Sequence, residues 1–279
     1  NQAASLIHTS SLYYIKNQAE LAKRLVELSC ADKIFFANSG AEANEGAIKL
    51  AKIYNYKKGL AHKYEIITLN NSFHGRTLTT LSATGQPKYQ KPYKPLTPGF
   101  VHVEINDYDA LSSAVNENTA AIMLEPIQGE SGVNPCYNEY LLKVRKLCDE
   151  KSILLIFDEV QTGIGRTGKM FGYENFGIEP DIFTLAKALG GGIPIGAVCA
   201  KDFVASAFEP GDHGSTFGGN AFATAAGLAV LDIIQKQNLL EKCVSMGDYL
   251  KEKLNELSKK YCVISEIRGL GLMIGIGLK

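Results

Sequence analysis

Three places in the sequence carry residue types suited to covalent, electrostatic and anion-binding chemistry. Lys187 lies between Ile182-Phe183-Thr184-Leu185-Ala186 and Ala188-Leu189-Gly190-Gly191-Gly192. An amine held among small and apolar neighbours loses proton affinity and gains nucleophilicity. It suits a Schiff base with an aldehyde cofactor, although a lone lysine also suits a solvated surface. Asp158 closes an aliphatic run that ends in Phe157. A partly desolvated carboxylate there wants a cationic partner. A protonated pyridine nitrogen would serve, and so would a structural ion pair or a helix cap. Ser39-Gly40-Ala41-Glu42-Ala43 follows an apolar run and opens a helical stretch. Free N–H groups and the helix dipole make such a start an anion site. Simple capping by Ser39 or Asn38 accounts for the same residues.

The elements that must position these groups alternate along the chain. Strands are expected at 34–36, 65–69, 100–103, 120–124, 153–157, 182–186 and 195–200. Helices are expected at 18–28, 41–56, 138–151, 220–235 and 244–257, the first with Leu21, Leu25 and Leu28 on one face. Continuously apolar strands between helices predict an α/β fold, with a mostly parallel sheet covered on both faces. The 195–200 strand is the candidate for an antiparallel member. In open α/β sheets, ligands bind beyond the carboxyl ends of the strands. Here those ends lead into Asn38-Ser39-Gly40, Phe73-His74-Gly75-Arg76, Glu125, Asp158-Glu159 and Lys187. Five polar ends on one sheet edge predict an active site. Residues 87–98 read as a proline-rich surface loop.

Two nucleotide motifs fail on inspection. Gly163-x-Gly165-x-x-Gly168 fits a dinucleotide fingerprint, and 163–169 fits the start of a P-loop. The P-loop needs Ser or Thr after its lysine, but Met170 follows Lys169. The fingerprint must open a helix, and residues 170–177 have two glycines and no helical period. An ordered glycine-rich loop remains.

Composition excludes whole classes. Lys plus Arg (29) equals Asp plus Glu (29), so no excess positive charge is available to hold a nucleic-acid backbone. With 46% hydrophobic residues a disordered chain is not expected. The longest apolar runs fall far short of the ~20 residues that a membrane helix needs. Cys30, Cys136, Cys148, Cys199, Cys243 and Cys262 form no C-x-x-C pair and do not cluster with histidines, so they read as reduced core thiols, with no zinc site expected. The chain begins at Asn1 and stops at Lys279, just after a strand-like Leu272-Met273-Ile274-Gly275-Ile276. It reads as part of a longer protein.

Six segments, in order, resemble the class III aminotransferases. They are NSGAEANE (38–45), FHGRT (73–77), EPIQGE (125–130), FDEVQTGIGRTG (157–168), LAKALGGGIPIGA (185–197) and HGSTFGGN (213–220). The likeness is nearest to the acetylornithine/ornithine branch. It implies the aspartate-aminotransferase fold, known as fold type I, with pyridoxal 5'-phosphate as cofactor and a mostly parallel seven-stranded sheet. A large cofactor-binding domain at 1–236 and the start of a smaller C-terminal α+β domain at 237–279 are expected, with 268–271 as the turn leading into its sheet.

The resemblance also implies roles. Lys187 would hold the cofactor covalently and then act as general acid/base. Asp158 would pair with the pyridine nitrogen, Gln161 would contact the phenolic oxygen, and Phe73 would stack on the ring with His74 nearby. Ser39 and the N–H groups of Gly40 and Ala41 would hold the phosphate. Thr216 would reach the phosphate of a neighbouring subunit, implying a homodimer. Arg76 would grip the substrate carboxylate, and Ser215 would lie on the substrate side. Glu130 would act as a gate, paired with a second arginine expected in a C-terminal part.

The implied reaction moves the ω-amino group of N2-acetylornithine to 2-oxoglutarate in the cytoplasm, within arginine biosynthesis. Ornithine, succinylornithine and 4-aminobutyrate are rival donors. A glutamate-semialdehyde aminomutase-like isomerase is the rival class, and Arg76 together with Glu130 counts against it. A non-catalytic scaffold would be marked by loss of the lysine or the aspartate, and both are present.

Overall fold

The computed structural model describes all 279 residues. Seven strands form the central sheet: β1 (Lys33–Ala37), β2 (Glu65–Leu69), β3 (Phe100–Val103), β4 (Thr119–Leu124), β5 (Leu154–Asp158), β6 (Ile182–Leu185) and β7 (Gly196–Ala200). Their order across the sheet is β1-β7-β6-β5-β4-β2-β3. All run parallel except β7, which is antiparallel to both β1 and β6. The sequence expectation for this strand holds.

Strand residues alternate between two cores, as the pleat requires. Ile67, Ile122, Leu124, Leu155, Phe157 and Phe183 face one cluster. Ile66, Ala121, Met123, Leu154, Ile156 and Ile182 face the other. Helix α1 (Lys16–Leu28), α5 (Asn138–Lys151) and α6 (Ala221–Lys236) cover the first face; α2 (Gly40–Lys57) covers the second through Ala43, Ala47, Ile48, Leu50 and Ala51. Shorter helices α3 (Leu78–Ala83) and α4 (Tyr108–Ala114) fill the connections. Because both faces are covered, the central strands β4, β5, β6 and β7 are buried along their whole length and read as largely apolar runs.

The chain then continues into α7 (Leu239–Lys260) and the antiparallel pair β8 (Ile264–Leu270) and β9 (Met273–Leu278), which form a sheet of their own.

Four sequence expectations need correction. Leu28 is 41% exposed while Leu21 and Leu25 are buried, because α1 ends there and the chain turns away at Ser29. Helix α7 starts at Leu239, before the expected 244, since Asn238 adopts φ +52 and redirects the chain at once. Arg268, Gly269 and Leu270 belong to strand β8, and the turn is Gly271-Leu272, with Gly271 at φ +53. Residues 172–176 form a short 3-10 turn despite their lack of helical period, because the Glu174 carboxylate accepts the Phe171 N–H at 2.8 Å. The 87–98 loop also contains a helical turn, Pro87–Gln90, whose Gln90 is buried, followed by a 3-10 turn, Lys91–Tyr93.

Leu155 is fully buried at the centre of the sheet. Leu155→Ala should lower unfolding stability by about 2–5 kcal/mol in chemical denaturation, the range for buried leucines. Leu250→Ala, at 41% exposure, should stay within about 0.5 kcal/mol.

Candidate active site

A cavity of about 450 Å³ opens at the carboxyl ends of the parallel strands. Ser39, Gly40, Ala41, Phe73, His74, Arg76, Glu130, Asp158, Gln161 and Lys187 all line it. Ser215 and Thr216 do not. They border a neighbouring depression with Phe35, Glu45 and His213, and the Ser215 hydroxyl oxygen accepts the Asn38 side-chain N–H at 3.1 Å and the Gly218 N–H at 3.0 Å.

Asp158 is the last residue of β5 and is only 4% exposed. A carboxylate so buried must be hydrogen-bonded. Oδ1 accepts the Val160 N–H at 3.0 Å. Oδ2 accepts the Asn44 amide at 2.7 Å and faces His74 Nδ1 at 2.8 Å. An ionised carboxylate only accepts, so Nδ1 carries the hydrogen and donates. Asn44 is itself held, for its amide also donates to the His74 carbonyl and its oxygen accepts the Thr184 hydroxyl, each at 2.7 Å. Burial alone would push the His74 imidazole down. The hydrogen bond and charge of Asp158, with the charge of Glu125, outweigh it and hold His74 above its ordinary pKa. His74 Nε2 is buried with no partner in the chain.

Glu125, at the end of β4, joins two loops. Oε1 accepts the Phe73 N–H at 2.9 Å and Oε2 the Gly129 N–H at 3.1 Å. Burial pushes its pKa up and the nearby Asp158 charge adds to this, against the pull of His74 and the two N–H groups. Gln161 lies directly over Gly129, where a Cβ would sit 1.3 Å from Gln161 Oε1.

At the start of α2, Ser39 Oγ accepts the Glu42 N–H at 3.2 Å, while Glu42 reaches back to the Asn38 N–H at 2.7 Å. This reciprocal cap leaves the first-turn N–H groups of Gly40 and Ala41 without intrahelical acceptors, at the cavity wall. A Cβ on Gly40 would meet Val160 Cγ1 at 2.8 Å, so the close approach needs glycine. Lys187 follows β6 at φ +39, a conformation rare for a residue with a side chain. Its side chain is exposed to the cavity.

Arg76 sits over the Phe73 and Tyr89 rings, with its Cζ 5.9 and 5.2 Å from their centroids. Glu130 Oε1 accepts the Tyr89 hydroxyl at 2.6 Å and Oε2 the Gln86 amide at 2.7 Å. Those two hydrogen bonds, with the charges of Lys88 and Arg76, hold Glu130 below the usual carboxylate range.

Asn44, Gln86 and Tyr89 are not singled out by sequence reasoning. Asn44 left one signal: a polar residue in a helix, among alanines at 41, 43 and 47, is buried and must therefore be bonded. Glu159, beside Asp158 in sequence, is turned away from the cavity. Its carboxylate accepts the Thr162 hydroxyl and the N–H groups of Gly172 and Tyr173, and so anchors the glycine-rich loop. No group of three or more His, Cys, Asp or Glu is arranged to hold a metal ion.

All 279 residues match the family model described as aminotransferase class-III. The chain is a class III aminotransferase. It is 56% identical over 278 residues to the acetylornithine aminotransferase of Methanocaldococcus jannaschii, covering 100% of this chain and 70% of that one. The enzyme of the same name from Caldanaerobacter subterraneus is 57% identical over 274 residues, with 98% and 70% covered. Among solved structures, the ornithine aminotransferase of Toxoplasma gondii superposes with a TM-score of 0.96 at 35% identity, covering 100% of this chain and 67% of that one. This aminotransferase has the α/β architecture of fold type I and depends on pyridoxal phosphate. The residues fit that cofactor: an anion cradle at Gly40 and Ala41, an amine at Lys187 and a buried carboxylate share one cavity.

Glu159 supplies a pH signature of the apoenzyme. Burial pushes its pKa to about 7, from an ordinary value of 4.5. Between those values the folded state holds more protons than the unfolded chain, so this group's contribution to stability falls as pH rises. Glu159→Gln should flatten the fall, whose full size is roughly 3 kcal/mol or less. Denaturation midpoints at pH 5 and pH 7.5 read the difference in slope.

Proposed function

We propose that this aminotransferase moves the ω-amino group of N2-acetylornithine to 2-oxoglutarate, a step of arginine biosynthesis. The observation that carries the reading is the shared cavity. Lys187 and Asp158 stand in it together with Arg76, an arginine that no carboxylate of the chain engages. The choice of donor is supported by the relatives at 56–57% identity, whose names specify acetylornithine, against 35% for the ornithine aminotransferase structure. Ornithine is the second reading, because Arg76 grips an α-carboxylate whether or not the α-amine is acylated.

When bound, pyridoxal phosphate supplies an aldehyde carbon that accepts the amino group and a ring that absorbs the electrons freed at the donor carbon. The chain's part is to hold it and to move protons. Gly40 and Ala41, with Ser39, would hold the phosphate. Asp158, backed by His74, would favour a protonated ring nitrogen by presenting a carboxylate to it. Phe73 would pack on the ring, and Gln161 would donate to the phenolic oxygen; both line the cavity. Lys187 Nζ would be the amine that attaches the cofactor, and its ammonium/amine pair would carry a proton to and from the donor carbon. Arg76 binds the donor's α-carboxylate with its planar fork. Glu130 stands beside it as a second charged group of the substrate end.

Thr216 and Ser215 lie outside this cavity, and we propose that Thr216 serves the phosphate of a second subunit. The exposed run Leu12 (90%), Tyr13 (69%) and Tyr14 (106%), with exposed Phe217 next to Thr216, supports a homodimer. Helix α7 and its separate β8–β9 sheet support a second domain starting near 237. No helix is long and apolar enough to cross a membrane, and all six cysteines are unpaired, which supports a cytoplasmic site of action.

The test is the visible absorbance of the holoenzyme. N2-acetylornithine should bleach the cofactor band, and 2-oxoglutarate should restore it. Bleaching by ornithine alone would move the donor to ornithine. Lys187→Ala should lose the covalent, borohydride-trappable attachment and at least ~10³-fold in turnover, as expected when a covalent catalyst is removed. A trappable bond persisting at that site would reject the role of Lys187.

A further inference from the structure

The backbone that supports Gln161 is the tip of a hairpin. Ile127 and Gln128 pair with Pro135 and Asn134, which closes residues 129–133 into a turn. Gly129, its first residue, lies against the Gln161 amide, since a Cβ there would sit 1.3 Å from Oε1. Its last two residues carry left-handed backbone, with Gly132 at φ +117 and Val133 at φ +60. A β-branched side chain avoids that region and stays there only where its surroundings over-determine the backbone. The two ends of the tip are linked, because the Gly132 N–H donates to the Gly129 carbonyl at 3.4 Å.

The restraint on Val133 comes from far along the chain. Arg268, on β8, donates from Nε to the Val133 carbonyl at 2.8 Å and from Nη2 to the Gly132 carbonyl at 2.7 Å. Its remaining nitrogen, Nη1, pairs with Glu266 Oε2 at 2.8 Å, which fixes the plane of the guanidinium. The β8–β9 sheet presses on the same two residues. A Cβ on Gly275 would lie 2.8 Å from the Gly132 carbonyl oxygen and 2.9 Å from Val133 Cβ. Arg268 itself does not line the cavity.

We infer that Arg268 is a positioning residue for the cofactor site: its guanidinium locks the strained hairpin tip so that Gly129 stays against Gln161. The inference rests on Gln161 as the proposed contact of the cofactor's phenolic oxygen. It goes further by placing the support of that contact on the β8–β9 sheet. Without the two hydrogen bonds, Val133 relaxes to negative φ, the tip turns, and Gly129 leaves the Gln161 amide. A glycine at position 133 adopts φ +60 without steric cost, so a tip built that way keeps its shape without the clamp.

Arg268→Ala removes both donors, and two readouts follow the tip and the cofactor separately. Hydrogen exchange of the holoenzyme, read by mass spectrometry over 127–135, should quicken by at least about tenfold as the tip opens. Pyridoxal 5'-phosphate titrated into the apoenzyme should bind on the order of tenfold more weakly, the scale of one hydrogen bond to a charged group. In a Val133→Gly background, the same Arg268→Ala change should move each readout less than about threefold. That rescue is the signature, because an arginine that only fastened the β8–β9 sheet in place would matter equally whichever residue stood at 133. Arg268→Lys, which lacks the planar fork, carries the same comparison if the alanine variant does not fold. Unchanged exchange over 127–135, unchanged cofactor affinity, or equal effects in both backgrounds would overturn the inference. Gln161→Ala tells the two failures apart. Cofactor affinity unmoved by Gln161→Ala, yet weakened by Arg268→Ala, strikes the ring contact and leaves the clamp.

Discussion

The structure of the site depends on satisfying one carboxylate inside the protein. Asp158 has almost no access to water, and an isolated charge at such depth is untenable. Three donors meet it: the Val160 N–H, the Asn44 amide and His74 Nδ1. Each comes from a different part of the chain. Val160 belongs to the turn after β5, Asn44 to α2, and His74 to the loop after β2. The requirement to satisfy Asp158 therefore draws those three segments to one point. Thr184 on β6 extends the network through Asn44, and its strand leads three residues later to Lys187. The carboxylate and the amine are set relative to each other by the register of neighbouring parallel strands, in which Asp158 stands opposite Thr184.

That arrangement explains the tight approaches around it. Gly196 opens β7 where a Cβ would lie 2.3 Å from the Ser39 carbonyl, so the antiparallel strand presses against the start of α2. Gly75, at φ +138, lets the loop after His74 pass Ala41 and Thr80, whose nearest atoms would lie 2.8 and 2.5 Å from a Cβ. The anion cradle, the buried imidazole and the sheet edge are one packed unit. The glycines are where backbone must meet backbone or a neighbouring side chain.

Much of this was legible in the sequence, for a physical reason. Buried strands read as mostly apolar runs, which bounded β2 at both ends; the half-buried edge strand β3 and, by its helical period, α5 were also bounded correctly, and the strand ends marked the site's edge. Local patterning also carried the cap at Ser39 and the failure of the nucleotide motifs. Partners set by tertiary contact were not legible. Tyr89 meets Glu130 across 41 residues, and Asn44 meets Asp158 across 114; neither spacing has a periodic signature. Glu159 is the next residue after Asp158, yet it serves a different part of the fold. Strand geometry separates them, since consecutive side chains cannot point the same way. Leu28 kept the helical spacing of its stripe but fell on the last residue of α1, where there was nothing left to pack against.

The two ends of the cavity differ in how firmly they are built. At the inner end, Asp158, His74 and Asn44 are 4%, 1% and 1% exposed, and the hydrogen bonds of Asp158 are all internal. Moving any of them would leave a buried charge or donor unpaired, so this end tolerates little change. At the outer end, Arg76 and Glu130 are exposed, held by an aromatic face and by two side-chain donors from one loop. Partly solvated groups adjust at small energetic cost, because water replaces a lost partner. A cofactor ring held in one orientation through the cycle is suited by the first kind of construction. A substrate carboxylate that must enter and leave each cycle needs the second. On the proposed roles, a single fold can thus hold its cofactor chemistry at the rigid inner end, at Asp158 and Lys187, while donors are distinguished at the adjustable outer end, at Arg76 and Glu130.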